Sequence, residues 1–196
     1  MKKKTQAFTL LEVMIVVAII GIITAYGLPR MKGFMTSTSL TSTTNDLVAS
    51  LHLARSAAIR LQDKVVICSS ANANTPAPTC GSVLTEWHEG WIVFHDLNRN
   101  TFYDGADELF QVHHAAEDND VTITPVALGA SPTNIVNYIS FGPPAGEPYV
   151  ANGAGQSGIF RICTPDDPDV QRGVLVNFSG RISSTVDSTV INSSCL

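Results

Sequence analysis

The hydrophobic positions of this chain change their pattern twice, near residue 30 and near residue 62. From Ala7 to Pro29 they form one nearly unbroken apolar run, AFTLLEVMIVVAIIGIITAYGLP. As a helix, the part from Phe8 to Leu28 would be about 30 Å long, which matches the hydrocarbon thickness of a bilayer. The pattern therefore predicts a membrane-spanning helix near the amino end.

Between residues 30 and 62 the apolar positions have helical spacing. The residues that share one helical face are Leu40, Leu47, Leu51, Ala54, Ala58 and Leu61. The Thr and Ser run from Thr36 to Thr44 has modest helix propensity, yet the periodicity continues through it. We expect a single long helix from about Phe8 to about Leu61, with its second half under a globular head.

After Gln62 the chain changes to short apolar or alternating runs with turn residues between them. Eight of these runs are typical of β-strands: KVVICS, GWIVFHD, ELFQVHH, VTITPV, NYISF, GIFRIC, GVLVNFS and RISSTVDSTVI. We expect Trp87 and Trp91 to lie in the core rather than to bind a ligand. The pattern predicts an α+β fold, in which an antiparallel sheet covers one face of the long helix.

The chain begins with MKKK, and its apolar run contains one acidic residue, Glu12. Lysines before a span hold the amino end in the cytoplasm, so the residues after Pro29 would lie across the membrane. A secretory signal peptide would need a small-residue cleavage site after the run, where Tyr26 stands instead. An acid in a membrane costs about 2.5 to 3.5 kcal/mol, so Glu12 marks a partner unless it stays solvated near the interface.

The segment from Ala7 to Pro29 resembles the class III signal of type IV prepilins and pseudopilins. The resemblance implies cleavage by a prepilin peptidase between Ala7 and Phe8, followed by N-methylation of Phe8. It also implies that Glu12 neutralises the amine of a neighbouring subunit, and that Gly21 and Pro29 loosen the helix. Ala7 departs from the glycine that the family prefers before the cut.

A second resemblance lies in the strand-rich part of the chain. WHEGWIVFHDLN, followed by Asp104 and Leu109, and the ending RGVLVNFSGRISS resemble the head of the FimT, FimU and GspH branch of minor pilins and pseudopilins. The two resemblances imply four segments: residues 1–7 as leader peptide, 8–29 as transmembrane and assembly helix, 30–62 as the exposed half of the helix, and 63–196 as the β-rich head.

The resemblances also imply where the protein lies and what it contacts. It would be a single-pass protein of the inner membrane with a periplasmic head, and later part of an extracellular pilus or a periplasmic pseudopilus. Its partners would be other major and minor pilins, the prepilin peptidase and the inner-membrane assembly platform.

Composition fits one exported domain behind the helix. The formal net charge is -5, and it becomes -8 when the three lysines of residues 1–7 are removed, which excludes a broad basic surface. The four cysteines lie beyond the apolar run, in a compartment where disulfides persist, and three pairings are open. We expect Cys68 to pair with Cys80, closing the Pro, Asn and Ser loop CSSANANTPAPTC, and Cys163 with Cys195, tying the carboxyl end to the body. A zinc site is the alternative, but no cysteine pair has the short spacing of zinc ribbons.

The segment DLNRNTFYDGADE partly resembles a calcium loop in its spacing of oxygen ligands. These are Asp96, Asn98, Asn100, Asp104 and Asp107. Thr101 stands where a calcium loop has glycine, and the final bidentate glutamate is absent, so we interpret the segment as a polar hairpin tip. The strand histidines flanking it could approach one another, but exposed side chains are the simpler interpretation. They are His88, His95, His113 and His114.

Function is constrained by what the sequence lacks and by the family it resembles. It contains no nucleophile elbow, HExxH, P-loop or dinucleotide fingerprint, so we expect neither an enzyme nor a cofactor. The sequence favours a minor pilin of a type IV pilus, placed at the tip or along the filament. A minor pseudopilin of type II secretion is the close alternative.

A DNA-binding pilin for natural transformation is a further alternative. Members of this branch that bind DNA use a Gly-Arg-x-Arg stretch in the final hairpin, where this chain has Gly180-Arg181-Ile182-Ser183. The second arginine is absent, and phosphate binding needs several cations. Arg161 and Arg172 would have to lie beside Arg181 to form a basic patch, so DNA binding is not favoured.

Overall fold

The computed structural model describes residues 9–81, 86–114, 121–127, 135–150, 153–164 and 167–186. Ala7, Phe8 and Cys195, for which the sequence predicts roles, lie outside these residues. The chain divides into two compact units, Met1–Thr38 and Ser39–Leu196.

Helix α1 runs from Leu10 to Leu61, and its part before Ser39 belongs to the first unit. Thr9 precedes the helix, and its hydroxyl accepts the backbone N–H of Glu12 at 3.2 Å, as an N-cap does. The large apolar side chains from Leu10 to Tyr26 are exposed. Within the described residues, no helix has a stretch that is both long enough and apolar enough to cross a membrane.

The rest of α1 supplies one side of the core of the second unit. Five of the six residues predicted on one helical face are fully buried: Leu40, Leu47, Leu51, Ala54 and Ala58. The sixth, Leu61, is partly exposed in the last turn. The hydroxyl of Thr44 donates to the carbonyl oxygen of Leu40 at 2.6 Å, so a buried polar group in the Thr and Ser run is satisfied within the helix.

In the part of the chain that the structure describes, nine strands follow the helix, and each predicted run contributes to one of them. They are β1 Val65–Ser69, β2 Gly90–His95, β3 Glu108–His114, β4 Thr122–Ala127, β5 Tyr138–Gly142, β6 Glu147–Pro148, β7 Gly158–Thr164, β8 Asp167–Val176 and β9 Ile182–Thr185. The sequence did not predict the two-residue β6 or the 3-10 helix Glu86–Glu89 before β2.

The strands form two antiparallel sheets instead of the single sheet that the sequence predicts. The first sheet has the order β3-β2-β1-β5-β6 and the second β4-β7-β8-β9. The division arises because β5 returns to pair with β1, whereas β4 pairs with β7. The α+β class is confirmed.

Both sheets share a core with the second part of α1. Trp87 and Trp91 are buried there, as predicted, and Trp87 packs edge-on against Phe160. The first sheet also has apolar side chains on its other face, where Val66, Ile92 and neighbours form a smaller cluster. Strands β1 and β2 are therefore buried along their whole length.

The Cys68–Cys80 disulfide is present, which confirms the predicted pairing. Cys163 is disulfide-bonded, and its predicted partner Cys195 lies outside the described residues. Inside the loop closed by Cys68 and Cys80, the side-chain oxygen of Asn72 accepts the backbone N–H of Thr79 at 2.8 Å. The loop is therefore held by a side-chain hydrogen bond as well as by the disulfide.

Replacing Cys68 and Cys80 together by serine should lower the free energy of unfolding by about 3 kcal/mol, because the bridge restricts a short loop of the unfolded chain. The sheets should remain, since the hydrogen bonds of Asn72 do not need the bridge. Urea unfolding and far-ultraviolet circular dichroism of the full chain in detergent would measure both quantities. Loss of the strand spectrum in the double variant would contradict this expectation.

Candidate functional site

The first candidate site surrounds Glu12 in the opening turn of α1. Its spacing from Thr9 is that of a capping box, in which the N-cap hydroxyl and a Glu or Gln three residues later satisfy each other's backbone groups. Glu12 also lines a shallow apolar groove of about 270 Å³ with Val13, Val16 and Val17. The sequence reasoning missed Thr9, although the pattern Thr-x-x-Glu was its detectable signal.

The other predicted residues of the first unit lie farther along the same helix. A side chain at Gly21 would meet nothing within 4 Å, so that position leaves open space on the helix surface. Thr24 donates its hydroxyl to the carbonyl oxygens of Ile20 and Gly21. Pro29 lies inside α1.

The second candidate site is the β2–β3 loop, residues 96–107, which a buried ion pair organises. The ammonium of Lys64 lies 2.8 Å from Asp96, and the two side chains are 3% and 0% exposed. Lys64 also donates to the hydroxyl of Thr101 at 2.6 Å. The Asp96 carboxylate accepts the backbone N–H groups of Asn100 and Thr101. Nothing in the sequence marked Lys64 as the partner of Asp96.

The remaining polar residues of this loop bond to one another. Asp104 accepts hydrogen bonds from the side-chain amides of Asn98 and Asn100, each at 2.8 Å. Asp107 accepts the backbone N–H groups of Leu97 and Asp104. The pKa of Asp104 lies below its ordinary value because the Ala106 N–H and both amides bond to the carboxylate.

Two residues of the loop adopt a backbone conformation that favours glycine. Arg99 and Thr101 have φ angles of 61° and 74°. Thr101 thus takes the conformation for which calcium loops use glycine. The five predicted oxygen-bearing residues do share one loop, but no group of three His, Cys, Asp or Glu residues that could hold a metal occurs in the described part of the chain.

Millimolar calcium added to the chelated full chain should leave its melting temperature unchanged. Lys64 already neutralises Asp96, and Asp104 accepts two amides, so a metal would have to displace these partners. A thermal-shift measurement with and without calcium checks this. A rise in melting temperature that Asp104→Asn removes would instead establish a metal site.

The four histidines do not form one cluster. His95 is mostly buried, with Nε2 3.2 Å from Asp63, whereas His113 stacks on Trp91 with ring centroids 3.8 Å apart. His88 is half-buried, and only His114 is exposed. The interpretation of all four as exposed strand histidines was therefore wrong. Burial lowers the pKa of His113, although the Asp46 carboxylate opposes this shift.

Asp63 connects the end of α1 to the β2–β3 loop. Besides lying near His95, it accepts a hydrogen bond from Arg99 at 3.0 Å. Burial raises the pKa of Asp63, but the hydrogen bonds from the Lys64 N–H, Arg99 and His95 and the charge of Arg99 outweigh burial, so the pKa is lowered.

The three arginines considered for DNA binding are not gathered on one surface. Arg161 pairs with Gly173 and Arg172 with Ile162, so the two point to opposite faces of β7 and β8. Arg172 donates to the hydroxyl of Thr41 on α1 at 3.1 Å. Arg181 is exposed beside the β8–β9 turn.

That turn is fixed to α1 by Arg55, which the sequence reasoning missed. The guanidinium donates to the carbonyl oxygens of Ala145 and Ser179 at 3.3 and 3.2 Å. Gly180 has a φ of 72°, and a side chain there would lie 2.3 Å from the carbonyl oxygen of Gly146. Gly180 is therefore needed for the close approach of two turns.

Two family models match separate parts of this chain. The model of the type II transport protein GspH matches residues 43–180, and the prokaryotic N-terminal methylation motif matches residues 2–27. No match was found among curated protein sequences.

Solved structures show the same fold. Two crystal forms of the type IV minor pilin FimU from Pseudomonas aeruginosa are similar to this chain. One is 17% identical, with a TM-score of 0.55, and covers 83% of this chain and 96% of its own. The other is 16% identical, with a TM-score of 0.50, and covers 79% and 96%. Since the GspH model spans more than half of the sequence, the chain belongs to the GspH family.

Proposed function

We propose that this protein is a minor pilin of a type IV pilus, built into the tip or along the filament. One observation carries the proposal: the same chain has an N-terminal methylation motif over residues 2–27 and a head with the FimU fold. The family and fold are those of structural subunits, and the proposal assigns no catalysis and no cofactor.

In this proposal residues 1–7 are a leader that prepilin peptidase removes before Phe8 is methylated. Residues 8–29 then hold the subunit in the inner membrane, with residues 30–62 and the head at 63–196 on the periplasmic side. Assembly moves residues 8–29 from the bilayer into a bundle of pilin helices, where Gly21 and Pro29 loosen the helix.

Glu12 has a specific role in that bundle. Its carboxylate would neutralise the methylated amine of a neighbouring subunit, because two opposite charges in a low-dielectric surrounding are tolerated only as a pair. The groove of Val13, Val16 and Val17 beside Glu12 offers apolar surface to the neighbour's helix. The assembly platform and other major and minor pilins are the partners.

Mass spectrometry of the protein isolated from its own cells tests the proposal. We expect a mature chain that begins at Phe8 and carries one extra methyl group on its amine. Deletion of prepilin peptidase should restore residues 1–7. A mature amino terminus near residue 26 would identify a secreted protein and overturn the proposal.

A minor pseudopilin of type II secretion is the second candidate, favoured by the description of the matching family as a type II transport protein. Deleting the gene separates the two candidates. Loss of surface filaments with normal protein secretion supports the pilus subunit, whereas loss of secretion with normal filaments supports the pseudopilin.

DNA binding in natural transformation is not favoured. Affinity for duplex DNA depends on several phosphate contacts, and Arg172 is engaged by Thr41 on the face opposite Arg161. We expect the full chain in detergent to bind duplex DNA no tighter than about 10⁻⁴ to 10⁻⁶ M at physiological salt. Fluorescence anisotropy measures this, and tighter binding that Arg181→Ala removes would contradict the expectation.

A further inference from the structure

A small groove lies on the outer face of the first sheet, between the β2–β3 loop and the Cys68–Cys80 disulfide. Its volume is about 230 Å³, and it is lined by the disulfide, Thr101, Phe102 and Tyr138 among others. Pockets for small molecules usually occupy about 300 to 1,000 Å³. This groove has instead the size to receive an apolar side chain from another protein.

The loop has two exposed large apolar side chains, one of which lines this groove. Phe102, which lines it, is 63% exposed, and Leu97 in the same loop is 52% exposed. Aromatic side chains that remain exposed on a fixed loop are typical anchors of protein interfaces. These two residues can therefore contact a partner without a rearrangement of the core.

The loop is held in one conformation by its own contacts. The buried Lys64–Asp96 pair fixes its base, and the left-handed residues Arg99 and Thr101 are maintained by the hydrogen bonds around them. Ordering a flexible loop on binding would reduce affinity, and a loop that is already ordered avoids that loss. This internal order suits a binding surface.

Charge indicates the chemistry of the partner. Of the chain's 17 acidic and 12 basic residues, one acid and five bases precede Ser39, so the second unit has 16 acidic and 7 basic residues. Two residues after Phe102, Asp104 is exposed, whereas Arg99 is paired with Asp63. A second copy of this acidic unit would be repelled, and a basic partner would be attracted.

We propose that the groove of Phe102 and the disulfide, here called the Phe102 groove, binds a different pilin subunit through an apolar side chain that adjoins a lysine or arginine. The apolar side chain enters beside Phe102 and Tyr138, while the basic neighbour faces Asp104. The inference rests on the proposed function, because it assumes that this chain assembles with other pilins.

Site-specific photocrosslinking of the full chain in its own cells tests the inference. With p-benzoylphenylalanine at Phe102, we expect a crosslink to a different pilin whose crosslinked peptide contains an apolar residue next to Lys or Arg. The matched control carries the crosslinker at Phe178, which is 52% exposed on the β8–β9 turn and should not give this product. Adding Asp104→Lys should lower the yield at position 102 several-fold.

Several results would overturn the Phe102 groove as a binding site for another pilin. They are a crosslink only to a second copy of this chain, no crosslink to any pilin, or an equal yield from position 178. Phe102→Ser provides a folding control, because Phe102 is exposed and its backbone N–H keeps its bond to Asn100. That variant should retain the disulfide and the melting temperature but lose filament incorporation.

The proposed function can fail separately. If Phe8 is unmethylated, the pilin proposal is wrong, regardless of which protein is crosslinked at position 102. If Phe8 is methylated and Phe102→Ser enters filaments at the normal level, the pilin proposal stands and the Phe102 groove is wrong.

Discussion

For the proposed pilin, we expect Glu12→Gln to leave the protein inserted in the membrane, cleaved and methylated, but to remove it from filaments. Glutamine serves in a capping box as glutamate does, so the helix start at Thr9 is retained while the negative charge is lost. The methylated amine of the neighbouring subunit would then be buried without a partner, which costs about 3 to 5 kcal/mol. We therefore expect incorporation to fall roughly 100-fold or more.

Thr9→Ala is the matched control for this experiment. It removes the N-cap at a cost of about 1 kcal/mol but leaves the charge of Glu12 in place. Immunoblots of membrane fractions and of sheared filaments measure insertion and assembly for both variants. Normal filament incorporation of Glu12→Gln would exclude charge pairing as the role of Glu12. An equal defect in Thr9→Ala would show that the helix cap is what assembly needs.

The features that local sequence patterns determine were predictable. Helical spacing from Leu40 to Ala58 places one helical face in the core, and the short apolar or alternating runs between turn residues fall on strands. The Cys68–Cys80 bridge was predictable too, because both cysteines flank one short polar loop.

Contacts between distant segments were not predictable from such patterns. Lys64 meets Asp96 because β1 and β2 pair in one register, and Arg55 reaches Ala145 and Ser179 only once both sheets pack on α1. His95 was placed on the surface because strand alternation does not reveal its partner Asp63. The division into two sheets likewise depends on which strand β5 joins, and its sequence does not specify that choice.

Lys64→Met will strongly destabilise the second unit. Removing the ammonium leaves the carboxylate of Asp96, which is 0% exposed, without its counter-charge, and breaking a buried ion pair typically costs about 3 to 5 kcal/mol. Urea unfolding of the full chain in detergent, followed by the fluorescence of the buried Trp87 and Trp91, measures the loss. Arg99→Met is the matched control, because its pair with Asp63 is largely exposed and should contribute about 1 kcal/mol or less.

The double variant Lys64→Met with Asp96→Asn separates the ion pair from the other bonds of the β2–β3 loop. If Lys64→Met lowers the free energy of unfolding because it leaves the charge of Asp96 unpaired, neutralising Asp96 should recover part of that loss. The double variant should then lose less stability than the sum of the two single variants. The amide introduced by Asp96→Asn would still offer one oxygen to the N–H groups of Asn100 and Thr101, and some loop order should survive. Strict additivity would contradict this account, because it would mean that Lys64 stabilises the loop through Thr101 and through packing rather than through the charge of Asp96.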